Sequence, residues 1–584
     1  MRRFLVVASL LVVAVPSAQT RSIDDFFREI SDGWVRLNPD IAVRSRYFSG
    51  DEQDRLEQQI SSYTDAAERQ RLDFISRGLA DLERFDRSRL TDAQRLSADV
   101  LRYHLRSYIE LAKYDAYFFP LDQFNGANIS LPSTLAVQHP LRLPKDASNY
   151  VVRLAQVAPR MAEAVVEARQ RAARDLIPPR FILNLTIDQM RRFVETPPTQ
   201  NPLVTSLATR AAAIKDLPDA ARTQLVAQAE RTVRDSVYPE WKKAIVYLET
   251  LLPRSADRAG LWRLEGGAEA YTHFLKAFTT TELTADQIHE IGLKRVAELE
   301  QSMDEVLRKL GRTNGSVNER VAQLKKDLSY PITEDGRNQI MSDIDGMIRD
   351  AERRSALQFD ARPKGAIIAQ PYPRFTENNA AASYTAPPLD GSRPAIFQMP
   401  LRPDQMTRFG LRSLVYHETV PGHHFQIALM VENPSLPKFR QARLFGGISA
   451  ITEGWALYAE RLAAESGWYA DDPEGLLGQM DKELWRARRL VVDTGLHAKR
   501  WTREQAVDYG IEPSEVERYV VLPGQACSYM IGQLKILELR ERAKTRLKDR
   551  FAERAFHNAV LAPGAVPLGL LEAETNQYIQ TVLK

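Results

Sequence analysis

One cysteine, Cys527, is all the sulfur chemistry that 584 residues offer besides methionine. A single thiol excludes an intrachain disulfide and a cysteine-built metal site, and none lies near the start to take a lipid. Charge of one sign is also lacking. Lys+Arg 79 against Asp+Glu 76 leaves a formal +3, which gives no electrostatic case for nucleic acid or an anionic membrane surface. The leading apolar run, Phe4 to Val15, is broken only by Ser9 and is too short to span a bilayer comfortably. Internal repeats and low-complexity tracts are absent, and strictly alternating β-branched runs are scarce before about residue 260. What is present is ordinary for a globular chain: 44% hydrophobic and 27% charged residues, ample for a core.

Arg2 and Arg3 precede the apolar run, and Pro16-Ser17-Ala18 follow it with small residues. That order reads as a secretory signal peptide over 1–18 and predicts export to a periplasm or the exterior, with no stable membrane insertion after cleavage. An uncleaved anchor is the alternative.

Apolar residues at three- and four-residue spacing predict helices over Leu56–Arg84, Leu90–Tyr114, Ala147–Ala173 and Ala220–Leu252. Phe119-Pro120, Pro178-Pro179 and Pro197-Pro198 mark loops. The organisation expected is an N-terminal helical lobe, 22–260, and a catalytic lobe, 261–584. His104, His139 and His273 are single histidines without partners of metal-ligand type. His289-Glu290 opens like a metalloprotease motif but lacks a histidine four residues on, and Thr284 to Gln287 before it is a capping box. After Phe359 the pattern changes: Ala366–Ala369, Ala382–Tyr384 and Pro394–Pro400 read as short strands. An exposed edge there could take a peptide as an added strand.

The stretch Tyr416 to Gln426 holds three of the nine histidines. In a zinc helix two histidines four apart face one ion, and a glutamate after the first polarises the bound water. Four after His417, however, stands Pro421. His423 falls six on, about 240° round a regular helix, and His424 seven on, about 10 Å along its axis. A regular helix cannot make the site. Pro421 has no N–H to give to the His417 carbonyl, and Gly422 tolerates unusual backbone angles. A Pro421-Gly422 bulge would bring His423, preferred here over His424, into the ligand position beside His417. Gln426 then falls where it could support the ligand by a hydrogen bond.

A third ligand is expected from the segment Ser449 to Glu460, read as a helix capped by Ser449. Glu453 and Glu460 are seven apart and share its otherwise apolar face. His417, His423 and Glu453 would hold one zinc ion with a position open for water, and Glu418 would act as general base.

These residues resemble the bacterial domain-of-unknown-function-885 (DUF885) family. Its pattern, His-Glu-x-x-Pro-Gly-His-x-x-Gln followed by Glu-Gly-Trp-Ala-x-Tyr-x-Glu, is matched from His417 and from Glu453. Thr279 to Thr284, Asp390 to Pro394 and Val492 to His497 also match. The chain is more distantly similar to thimet oligopeptidase, angiotensin-converting enzyme and thermostable carboxypeptidase, the helical gluzincins. The resemblance implies a mainly α, two-lobed fold around a deep cleft, with the small β-element beside the zinc helix. It implies a glutamate ligand at Glu453 with Glu460 supporting it, and a tyrosine that helps the oxyanion, matched by Tyr529. It also implies oligopeptide substrates.

The pattern Ser514-Glu515-Val516-Glu517 reads as a capping box, and a long helix is expected after Pro523. His497 is a weaker candidate for touching substrate or an oxyanion, as are Lys499 and Arg500 for a peptide carboxylate. The function expected is a secreted zinc peptidase. The alternatives are an exported metal-containing binding protein without turnover and a zinc amidohydrolase acting on cell-wall peptides.

Overall fold

In this computed structural model residues 21–584 are described, apart from 373, 378–380 and 403–404. The signal expected over 1–18 lies outside them. Caps and apolar stripes account for the helices of the first half. Ser22 Oγ accepts from the Asp25 N–H at 3.1 Å and starts Ile23–Leu37. Ile23, Phe26, Phe27, Ile30 and Trp34 form its buried stripe.

Two of the four long helices expected here are divided. Leu56–Arg84 is Gly50–Leu56 and Asp65–Leu82. Between them Thr64 caps the second helix by accepting from the Ala67 N–H. Ala147–Ala173 is Pro144–Leu154 and Val157–Ala173; Pro159 has no N–H for the Ala155 carbonyl, so the ladder stops there. Ala220–Leu252 keeps its course but widens to a π turn at Val233–Val237, two residues before Pro239. The fourth, Leu90–Tyr114, is Asp92–Leu111.

Beyond residue 260, Ala285–Lys309 starts with the expected capping box, with Gln287 N–H donating to Thr284 Oγ1 at 3.2 Å. His289 is an ordinary residue of that helix, bonded to Thr494. Three strands make one small sheet: β1 (Ile367–Pro371), β2 (Ser383–Thr385) and β3 (Ala395–Met399), in the order β1-β3-β2. β1 runs parallel and β2 antiparallel to β3, with Tyr384 opposite Phe397. Five helices build the candidate site: α1 (Leu411–Glu418), α2 (His423–Val431), α3 (Ser449–Glu465), α4 (Pro473–His497) and α5 (Ser528–Leu547). The chain is therefore mainly helical with one small sheet. Among the described residues no helix is long and apolar enough to cross a membrane.

The cores show what holds these five in place. One buried apolar cluster joins Phe27, Trp34 and Leu101 from the first helices to Phe274, Trp455 and Leu539. A second is built from residues such as Leu131, Tyr150, Met161 and Trp241. A third packs Phe397 and Met399 of β3 and Ile340 and Ile344 of Glu334–Ser355 against Leu411 and Val415. The sheet thus fixes α1, whose last two residues are His417 and Glu418.

Helices α3 and α5 cross with no side chain between them. A Cβ on Gly454 would lie 2.5 Å from the Gly532 backbone, and one on Gly532 would lie 1.8 Å from the Ala450 oxygen.

Candidate metal centre

The helix carrying His417 does not bulge; it ends. α1 stops at Glu418, and Thr419 (φ −116°, ψ −112°) and Gly422 (φ −81°, ψ −125°) leave helical space before α2 begins at His423. The Val420–Pro421 peptide is cis. The expected insertion is therefore a four-residue break between two helices. A Cβ on Gly422 would lie 2.0 Å from the His417 oxygen and 2.4 Å from that of Tyr416. Only glycine lets the chain fold back over the end of α1 so closely. The Trp455 indole on α3 donates to the Pro421 carbonyl at 2.9 Å and ties the break to the helix bearing Glu453.

The break brings the two histidines and the glutamate together. One ligand atom from each of His417, His423 and Glu453 lies within 4.8 Å of the others. Glu453 Oε2 is 3.5 Å from His417 Nε2 and 3.4 Å from His423 Nε2. Donors on a tetrahedral ion at bonds of about 2.0–2.1 Å stand roughly 3.3 Å apart. Glu453 Oε2 is buried and has no hydrogen-bond partner among the described residues. A buried carboxylate oxygen left this way is costly unless something sits between it and the imidazoles. Two imidazoles and a carboxylate are the donor set zinc takes, so the residues fit the ion.

Glu460 lies against His417, where the supporting role is expected. His417 Nδ1 donates to Glu460 Oε1 at 2.7 Å, which leaves the Nε2 lone pair facing Glu453 and His423. Ser413, one turn before His417, donates to the other Glu460 oxygen, and Arg486 of α4 lies 3.6 Å from the first. Burial opposes ionisation of Glu460, but Arg486 and His417 outweigh it and keep the group below the usual carboxylate range. Burial likewise opposes charge on His417, but Glu453 and Glu460 outweigh it and raise its pKa.

Glu418 is buried and no hydrogen bond or ion pair forms at its carboxyl among the described residues. Burial pushes its pKa up to about 7, with His423 opposing and Glu453 adding to the rise. The Tyr529 ring lies nearly parallel to that of His417, 14° between planes and 6.2 Å between centroids. The Arg489 guanidinium covers the Tyr529 ring at 4.6 Å.

Other candidates fall elsewhere. His424 bonds the Gly365 carbonyl through Nε2 at 3.2 Å and the Tyr384 hydroxyl through Nδ1 at 3.3 Å, so it is no member of the triad. Gln426 donates to the Ile451 carbonyl at 3.3 Å; it links α2 to α3 and makes no bond to His423. His497 is a correction. It is buried, receives the Leu261 N–H at Nδ1 and donates to the Tyr519 carbonyl, so neither nitrogen is free for a substrate. Lys499 is paired with Asp286, and Arg500 covers Trp262. Ser449 does not cap α3; its hydroxyl meets that of Ser528, because Ile448 takes the cap position. The capping box at Ser514 is also absent, since the helix there starts at Pro513 and takes Ser514 into its first turn. Cys527 is buried and forms no disulfide.

Sequence reasoning missed Ser413, Arg486, Trp455 and Tyr384. Ser413 sits four before His417 on one helix face, a spacing that could have found it. Arg486 and Tyr384 carry no local mark of their role.

Solved structures resemble this chain, and two of them follow in turn. A "putative lipoprotein" from Colwellia psychrerythraea matches at 31% identity and a TM-score of 0.90, covering 96% of this chain and all of its own. A "putative lipoprotein of unknown function" from Shewanella oneidensis matches at 19% identity and a TM-score of 0.69 with the same coverage, a likeness of fold. No curated protein matches the chain. The profile of the family described as "Bacterial protein of unknown function (DUF885)" matches residues 45–574, and with it the break, the paired histidines and Glu453: the chain belongs to that family.

Proposed function

We propose that this protein is an exported zinc-dependent peptidase acting on oligopeptides. The observation that carries the reading is the His417–His423–Glu453 triad, two buried histidines and a half-buried glutamate, with an uncommitted carboxyl, Glu418, beside it. A metal-storing or structural site needs no free carboxyl at that place; a hydrolytic one does. The similarity to helical gluzincin peptidases, with lobes about a cleft, belongs to this proposal. Export is supported by the leader read over 1–18 and by the description of the Colwellia relative as a lipoprotein.

Zinc, when bound, supplies Lewis acidity and a water of lowered pKa. His417, His423 and Glu453 would hold it, and Glu460 would fix the His417 tautomer. Glu418 accepts the proton of the attacking water and delivers it to the leaving nitrogen; a carboxyl whose pKa burial brings to about 7 is suited to both transfers. Tyr529 donates its hydroxyl to the developing oxyanion. The edge of β2 that is unpaired among the described residues, its other edge being paired with β3, orients an extended peptide by main-chain hydrogen bonds.

The test is metal content by mass spectrometry together with digestion of a mixed peptide library by the wild type and Glu418→Gln. Expected are about one zinc per chain in both and cleavage by the wild type alone. A zinc-loaded wild type that cuts nothing, or a Glu418→Gln variant as active as the wild type, would overturn the reading.

A further inference from the structure

Two arginines near the candidate centre have nothing to bind. Arg443 follows the short helix Lys438–Gln441, and Arg44 lies in Pro39–Ser45. Among the described residues neither guanidinium has a hydrogen bond or an ion pair. Arg44 is exposed and Arg443 half-buried, yet surrounding protein holds both groups below the usual arginine value. Both guanidiniums therefore stay open to a ligand from solvent.

Three chain segments converge there. The Arg443 turn is held by Ile23–Leu37, where the Trp34 indole donates to the Leu444 carbonyl at 2.8 Å. The loop between β2 and β3 is held by the Arg44 segment, with the Leu389 N–H on the Ser45 carbonyl at 3.3 Å and Arg46 3.6 Å from Asp390. That loop ends at Arg393, whose guanidinium donates to the Pro394 carbonyl. The third segment is β2 itself, whose Tyr384 ring lies 6.4 Å from that of His423. Arg443 is in electrostatic reach of Arg44, Tyr384 and the ligand Glu453; Arg393 is in reach of Tyr384, Arg142 and Asp390. The acids nearby are committed: Asp390 to Arg46 and the Ser392 N–H, Asp40 to Arg153. Arg443 and Arg44 therefore place positive charge beside the centre that no hydrogen bond or ion pair among the described residues takes up.

The backbone at Arg443 is a second, independent observation. Its φ of 49° is left-handed, and the Leu444 N–H reaches back to the Phe439 carbonyl at 3.0 Å in the manner of a helix C-terminus. Glycine is the usual residue at that position, because any side chain there costs about 1 kcal/mol or more. An arginine in strained backbone, half-buried and unpaired among the described residues, points to a ligand for its guanidinium.

We propose that Arg443 and Arg44 form a carboxylate-binding subsite for the substrate, set beside the His417–His423–Glu453 centre. It rests on the peptidase reading and narrows it to peptides that present a carboxylate near the scissile bond. A free C-terminus and an acidic side chain share that chemistry.

The first test avoids both metal and turnover. The thermal midpoint of the metal-free chain is measured with hippurate, hippuramide and inorganic phosphate at equal ionic strength. Hippurate is expected to raise it most, and Arg443→Gln and Arg44→Gln each to remove the difference between hippurate and hippuramide. Equal effects of hippurate and hippuramide, or a larger effect of phosphate, overturn the subsite. The second uses the zinc-loaded chain and matched peptides, C-terminal acid against amide and Glu against Gln. Removing the recognised carboxylate should lower kcat/KM by roughly 10- to 100-fold, mostly through KM, and Arg443→Gln should abolish that discrimination while Arg443→Lys keeps part of it. A loss on amidation assigns the C-terminus, and a loss on Glu to Gln assigns the side chain. No loss in either pair overturns the proposal. A zinc-loaded wild type that cleaves none of the peptides overturns the peptidase reading alone, and the hippurate comparison then decides the subsite. Unchanged zinc content and circular dichroism establish that the variants are folded.

Discussion

His417 Nδ1 and Glu460 Oε1 lie 2.7 Å apart, and both side chains are buried. The bond fixes which imidazole nitrogen faces His423 and Glu453 and raises its basicity. Glu460→Gln keeps the volume but removes the charge. Zinc affinity, read by competition with a chromophoric chelator, should fall by about 10- to 100-fold. The same substitution at Glu541, whose carboxyl is 63% exposed, should change nothing. Equal affinities for Glu460→Gln and the wild type would mean that the carboxylate only fills space.

The triad was legible because histidine and glutamate spacing carries chemistry directly. The break at Thr419–Gly422 was legible only in part. Pro421 and Gly422 exclude a straight helix, but a bulge and a full stop satisfy the same local rule. What decides between them is the Trp455 indole on the Pro421 carbonyl, a contact across 34 residues that no local pattern displays. The same limit explains the divided helices of the first half. Their apolar periodicity continues through residues such as Ala155 and Gln156, where the lost bond is fixed by Pro159 further on. His497 misled for the opposite reason: a histidine near the end of a helix looks available until Leu261 and Tyr519 are seen to take both nitrogens.

Tyr529 gives a sharper kinetic prediction. If its hydroxyl serves the oxyanion, Tyr529→Phe should lower kcat by about 100-fold with KM nearly unchanged, since the bond forms only as charge develops. Its ring would still lie against His417, so zinc content should stay at the wild-type value. A rise in KM at constant kcat would instead make it a binding residue.

The contact of Gly454 with Gly532 sets the position of Glu453, one residue away. Gly532→Ala puts a methyl group 1.8 Å from the Ala450 oxygen, and backbone cannot yield as a side chain can. Overpacking of this kind costs about 1–3 kcal/mol, and a backbone clash belongs at the upper end. The urea midpoint should fall with little change in slope, and zinc affinity should fall with it as α3 and α5 separate. Gly569→Ala, at a position with open space around the added methyl, is the control and should not destabilise.

Glu515 supplies the acid-sensitive element beside the centre. Its Oε2 takes Arg489 at 2.9 Å, Arg518 at 2.8 Å and the Tyr519 hydroxyl at 3.0 Å, and Arg489 in turn covers Tyr529. Burial opposes its ionisation, but the two arginines outweigh burial and bring its pKa down to about 2. The folded chain therefore binds fewer protons at this group than the unfolded chain, whose value is near 4.5. The stability that Glu515 contributes is present above about pH 4.5 and is lost as pH falls toward 2, on the order of 3 kcal/mol in full. Urea midpoints taken from about pH 5 down to about pH 2.5 should drop more steeply for the wild type than for Glu515→Gln, which cannot titrate. Parallel curves would show that the two arginines hold Glu515 no more strongly than water does.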